Sequence, residues 1–191
     1  AGERAGAELS SSMDIGEHPG CNRGETYIFT NADKVRMYKN DRFIKEYSAA
    51  DSPYTHLKHG PILIDDFIGD ALQEEHMKPG QEAGVKKALN AFTRFGFAKL
   101  PKSIYATGIW LILRYHMNME EAVRLYNKYI GDWGGTSTTY RFEAVMVDAS
   151  TRQERVVKTI IKEPMTERKI SAVADHENLI DAESYDVAEV R

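Results

Sequence analysis

Cys21 is the only cysteine among 191 residues, so no disulfide can close within the chain. That suits a reducing setting, and a cytoplasmic one is favoured. Cys21 lies in His18-Pro-Gly-Cys-Asn-Arg-Gly24, a loop-like stretch, and reads as a plain loop thiol rather than a nucleophile. Long apolar runs are also missing. The longest, around Ile109 to Leu113, is far short of the roughly 20 residues that a bilayer needs. The first residues, Ala-Gly-Glu-Arg-Ala-Gly-Ala-Glu, contain no apolar core of a signal peptide. Charge of one sign is scarce: 29 acidic and 25 basic residues leave a net charge of -4. Such a balance gives no strong basic field for nucleic acid or an anionic membrane, so neither is expected as a partner. There is no phosphate loop, dinucleotide fingerprint, Gly-x-Ser-x-Gly elbow or His-Glu-x-x-His helix. No cofactor is expected.

What remains is an ordinary globular composition, 42% hydrophobic and 28% charged. The first part has β character. Thr26-Tyr-Ile-Phe-Thr30 is aromatic and β-branched, and Lys34 to Lys39 alternates, with Val35 and Met37 on one face and Arg36 and Tyr38 on the other. Asn40-Asp41 suits a two-residue hairpin turn into Arg42 to Tyr47, and Asn31-Ala-Asp33 reads as another turn. The period changes near Asp65. Either Asp65 or Asp66 can cap a short helix through Phe67, Ile68, Ala71 and Leu72. A second helix runs from Gln81 to Phe95, with Gly96 at its end. Pro101 opens a third, apolar nearly all round and therefore expected to be buried, with Trp110 in the core. Asn118 with Glu121 caps a fourth, which ends at Gly131. Strands return at Thr138 to Asp148, with Tyr140, Phe142, Ala144 and Met146 on one face, and at Glu154 to Lys162. Two more are expected near 169–174 and 185–190.

The expected fold class is therefore mainly β: a β-sandwich interrupted by a cluster of about four helices at about 65–131. Strands on either side of the helices should share one core.

Candidate chemistry is sparse. His56 and His59 are spaced to offer two ligands to one metal, but no third ligand is evident, and no metal site is expected. Asp65-Asp66 could be a carboxylate pair. Adjacent residues at a helix start diverge, however, so capping is the simpler role, and no catalytic residue is assigned. Glu74-Glu75 and Glu120-Glu121 read as solvated helix positions. Trp133 lies in Gly131-Asp-Trp-Gly-Gly135, an irregular loop. An exposed Trp beside Asp132 could hold a sugar by stacking plus a polar contact, which makes Trp133 and Asp132 the candidate substrate-binding residues. The plainer role, plugging the junction between helices and sandwich, stands ahead of it.

Thr26-Tyr-Ile-Phe-Thr-Asn-Ala-Asp-Lys-Val-Arg-Met-Tyr-Lys-Asn-Asp41 resembles the first hairpin of the immunoglobulin-like domain that follows the catalytic barrel in family 2 glycoside hydrolases of the β-galactosidase type. The resemblance continues through Gly60-Pro-Ile-Leu-Ile-Asp-Asp-Phe-Ile-Gly69, Tyr129-Ile-Gly-Asp-Trp-Gly-Gly135 and Tyr140-Arg-Phe-Glu-Ala144. It implies a parent enzyme that hydrolyses β-glycosides with two Glu residues on a (β/α)8 barrel preceding this region. It also implies three parts here. Residues 1–24 lead from the barrel, 25–163 form the sandwich with its helical insertion, and 167–191 open a following immunoglobulin-like domain. The expected partners are the barrel of the same polypeptide and, in that context, carbohydrate. The insertion departs from the simpler family pattern. Two alternatives stay open: a carbohydrate-binding module, and a module whose helices build a homo-oligomer.

Overall fold

The structure, a computed structural model, describes residues 6–11, 13, 23–131 and 138–163. Cys21, Asp132, Trp133, residues 1–5 and the strands expected near 169–174 and 185–190 lie outside the described residues. Seven strands and three α-helices are present among the described residues. The strands are β1 (Ala7–Leu9), β2 (Thr26–Thr30), β3 (Lys34–Lys39), β4 (Arg42–Ser48), β5 (Ile62–Ile64), β6 (Tyr140–Val147) and β7 (Glu154–Lys162). The helices, α1 (Pro79–Phe95), α2 (Lys102–Tyr115) and α3 (Met119–Tyr129), fall between β5 and β6.

The strands make two antiparallel sheets, ordered β1-β2-β5 and β4-β3-β6-β7. Residues 26–41 are therefore not one hairpin: β2 and β3 belong to different sheets, and Asn31 to Asp33 carries the chain across. Asp33 fixes the arrival point, donating its N–H to the Val145 carbonyl (3.1 Å) and accepting the Val147 N–H (2.7 Å). The hairpin is β3–β4, where Asn40 (φ 48°) and Asp41 (φ 62°) both take the left-handed conformation that a two-residue turn requires. The strands before and after the helices pair directly, with Val35 opposite Ala144 and Met37 opposite Phe142.

Alternation puts Ile28 of β2, Val35 and Met37 of β3, Ile62 and Ile64 of β5, and Tyr140 and Phe142 of β6 into one buried cluster shared by both sheets. In β6 the alternation slips. A register shift between Ala144 and Val145 buries both, and leaves Met146 only partly covered.

The helices form a second cluster around Ile68, Leu72, Leu89, Leu111, Leu125 and Tyr129. Two expectations need correction. The first of the four helices is absent; Ala71–Glu75 is one short 3-10 turn. Gly69, at φ +61°, sits where a Cβ would lie 2.9 Å from the Ile44 carbonyl oxygen, and that left-handed residue stops any helix through Phe67 and Leu72. The second correction concerns α2, which is not buried all round. It buries Ile104 and Leu111, while Trp110 is 43% exposed and packs edge-on against Tyr115. Among the described residues only one side of α2 has a neighbour to cover it, the α1 face opened by Gly84 against Leu111 and Trp110.

Candidate functional site

The chain passes from sheets to helices at Asp65-Asp66, and the two carboxylates part company there. Asp65 points outward to Lys45 (2.9 Å). Asp66 turns inward, and one of its oxygens accepts the N–H groups of Ile68 (3.0 Å) and Gly69 (3.0 Å) and the Asn90 amide (3.1 Å). Its other oxygen meets the Lys86 ammonium at 2.7 Å. Burial raises the Asp66 pKa. Lys86 and the two backbone donors outweigh that effect, so the carboxyl stays below its ordinary range. Asp66 thus caps a turn and ties α1 to the exit of β5. The pair does not face a common space as two catalytic carboxylates would.

The return from helices to sheets is the second junction. Lys39 shares the inward face of β3 with Val35 and Met37, so a cation is directed where the strand pattern calls for an apolar residue. Its ammonium donates to the Tyr129 carbonyl at the end of α3 (2.6 Å) and lies 5.7 Å from the Tyr140 ring centroid. Arg23 is 1% exposed; it donates to the Ile130 carbonyl (3.3 Å) and sits 5.6 Å from the same ring. Two cations therefore meet the carbonyl end of α3, where the helix dipole is negative. Desolvation, with the nearby Arg23 charge, lowers the Lys39 pKa to about 7. The amine can change charge near neutrality while it clamps the end of the helix.

Asn40 holds the residue that leads into β6. Its amide oxygen accepts the Thr139 N–H (2.8 Å), and its N–H donates to the Thr139 carbonyl (2.9 Å). Beside these anchors lies a cleft of about 330 Å³, bordered by Lys39, Arg42, Glu74, Lys128 and Tyr129. Arg42 pairs with Glu74 and with Asp70 (3.0 Å), leaving the rim partly neutralised. The described residues on either side of 132–137 are thus pinned by named contacts, through Arg23 to Ile130 and through Asn40 to Thr139. Asp132 and Trp133 themselves lie outside the described residues.

Several groups behave unlike their sequence context. Glu75, read as solvated, has a side chain only 10% exposed. It accepts from Arg124 (2.7 Å), Lys128 (2.7 Å) and the Tyr129 hydroxyl (2.8 Å), and these bonds lower its pKa to about 2. It holds α3 to the 3-10 turn. His56 and His59 are exposed, and among the described residues no group of three or more metal ligands gathers. Lys39 could have been found from the sequence as the third residue of the Val35, Met37 series. Arg23 and Glu75 carry no comparable signal, because their partners lie 107 and about 50 residues away. Comparison with family models, with curated proteins and with solved structures finds no match for this chain.

Proposed function

We propose that this chain is a non-catalytic accessory region of a glycoside hydrolase acting on β-glycosides, of the β-galactosidase type. It is an immunoglobulin-like sandwich that follows the catalytic barrel and carries a helical insertion. The observation that carries the reading is a convergence. Three of the four segments through which the sequence resembles that family, 26–41, 60–69 and 140–144, supply Ile28, Val35, Met37, Ile62, Ile64, Phe67, Tyr140 and Phe142, all members of one core, while Tyr129 and Ile130 of the fourth, 129–135, belong to the helical cluster. A chance likeness of scattered segments has no reason to meet in one core.

The strand order supports the same reading. Three strands, β1-β2-β5, oppose four, β4-β3-β6-β7, and sequential strands change sheets in the Greek-key manner of immunoglobulin-like folds. The helices then form an excursion between the fifth and sixth strands. Within the parent enzyme, the module supports the barrel, and Asp132 and Trp133 contact bound sugar. Carboxylates near the polar cleft are engaged by cations, Glu74 by Arg42 and Glu75 by Arg124 and Lys128, which favours a supporting role over acid–base catalysis.

The test is the coding sequence immediately upstream of Ala1. The proposal expects a (β/α)8 barrel with two catalytic Glu residues there, and an unrelated domain or none refutes it. Binding offers a second check. The isolated chain should bind β-galactosides no more tightly than about millimolar, about -4 kcal/mol, because the barrel supplies most of the sugar site.

A further inference from the structure

We infer that the chain self-associates through α2, with two copies packed antiparallel so that the α2 ridge of each fills the α2–α3 groove of the other. This goes beyond the glycosidase reading and does not depend on it.

The helix presents two apolar faces but, among the described residues, has a neighbour for only one. Ile104 and Leu111 are buried. At 100° per residue, Tyr105, Ile109, Ile112 and Leu113 fall on one outward arc, and they are 55% to 74% exposed. A groove of about 390 Å³ runs beside this ridge, floored by Leu89 and Phe92 and walled by Gly108 and Ile112 on one side and Met119 and Ala122 on the other. Ridge and groove adjoin, as a two-fold interface made of one patch requires.

Gly108 gives a second, independent indication. It sits at mid-helix, where glycine costs about 0.5–1 kcal/mol relative to alanine, and a Cβ built there meets nothing within 4 Å. Gly84 differs: a Cβ there would press on Leu111 and Trp110. Nothing among the described residues needs Gly108 to be small, whereas a second helix crossing at the midpoint of α2 does.

Charge sets the direction. No acidic residue occurs between Glu82 and Glu120. Lys99 and Lys102 flank the start of α2, and Glu120 and Glu121 open α3 just beyond its end; Glu121 acts on the Arg124 charge of its own helix. Antiparallel packing lays the lysine end of each copy over the glutamate pair of the other, twice by symmetry. An anionic lipid surface would be repelled by those glutamates, so the mixed sign favours a second copy. The area is also sufficient. At about 200 Å² for a fully exposed large apolar residue, Tyr105, Ile109, Ile112, Leu113 and Met119 expose roughly 650 Å², within the about 600–1,000 Å² per partner of a standard interface.

Sedimentation velocity of the full chain, from about 1 to about 100 µM, tests this. The expected result is a reversible dimer of the 21.6 kDa chain. Leu113→Asp and Gly108→Leu should each weaken it by tenfold or more; the melting temperature of the monomer should hold for Leu113→Asp, at a position 74% exposed, and hold or rise for Gly108→Leu, which removes a mid-helix glycine. Lys102→Glu should weaken it as well, and Lys102→Glu with Glu120→Lys should restore it. A monomer throughout the concentration range overturns the inference, as does a dimer indifferent to Leu113→Asp and Gly108→Leu. Monomers that co-sediment with phosphatidylglycerol vesicles overturn it in favour of a lipid surface.

Discussion

Replacing Asp66 by alanine should cost far more than the same change at Asp65, although the two are adjacent in sequence. The carboxylate of Asp66 accepts two backbone N–H groups in a buried turn, together with the Asn90 amide and the Lys86 ammonium. Alanine leaves the Ile68 and Gly69 donors without that acceptor. A buried donor so deprived costs about 1–3 kcal/mol. Lys86 keeps the Gly69 carbonyl at 2.6 Å and is partly solvated, so its share is small. The total is about 3–4 kcal/mol, or roughly 10 °C in melting temperature for a chain of this size. Asp65 makes only exposed pairing with Lys45, worth about 0–1 kcal/mol. Asp66→Asn retains an acceptor oxygen and should fall between the two. Urea unfolding monitored by tryptophan fluorescence measures all three variants. An Asp66→Ala loss below about 1 kcal/mol, or one equal to that of Asp65→Ala, would refute the hinge role of this carboxylate.

Three further outcomes are expected. Lys39 has a folded pKa of about 7 against an ordinary 10.5, so the unfolded chain binds the extra proton between those values and wild-type stability should rise with pH across that window. Melting curves at a series of pH values should show any advantage of Lys39→Met shrinking from pH 7 toward 9; a difference independent of pH contradicts the burial of this amine. Glu75 is the opposite case: its pKa falls from 4.5 to about 2, so its contribution is complete above 4.5 and is lost as pH drops through about 2. Acid titration should show wild type losing its stability advantage over Glu75→Gln in that interval, and a constant gap would count against the Arg124–Lys128 cluster. Gly69→Ala meets both a left-handed φ and the Ile44 backbone, and should cost about 2 kcal/mol or more in chemical denaturation; a neutral substitution would show that the turn can relax.

Much of the architecture was legible because it is written in periods. The alternation of Val35 and Met37 gave β3, Asn40-Asp41 gave its hairpin, and the cap at Asn118 is present, accepting the Glu121 N–H at 2.8 Å. Three-residue strands such as β1 and β5 are too short to show a period, and both passed unnoticed. α2 misled for a different reason. An all-round apolar pattern says that a helix is to be covered but not by what, and among the described residues one side is covered. Gly69 was hidden in the same way, since its close approach to Ile44 depends on a strand more than 20 residues earlier. At the candidate site, the sequence pointed to the loop with Asp132 and Trp133. The clamps on the described residues either side of it are long-range partners, and of these only Lys39 breaks a local pattern.

The central claim, that this chain supports a glycosidase without itself performing the chemistry, is tested most directly by incubating the purified protein with aryl β-galactoside and aryl β-glucuronide substrates and following release of the aryl group. The expected rate is that of buffer alone at every pH. Turnover above that rate, abolished in Asp65→Asn or Asp66→Asn, would contradict it.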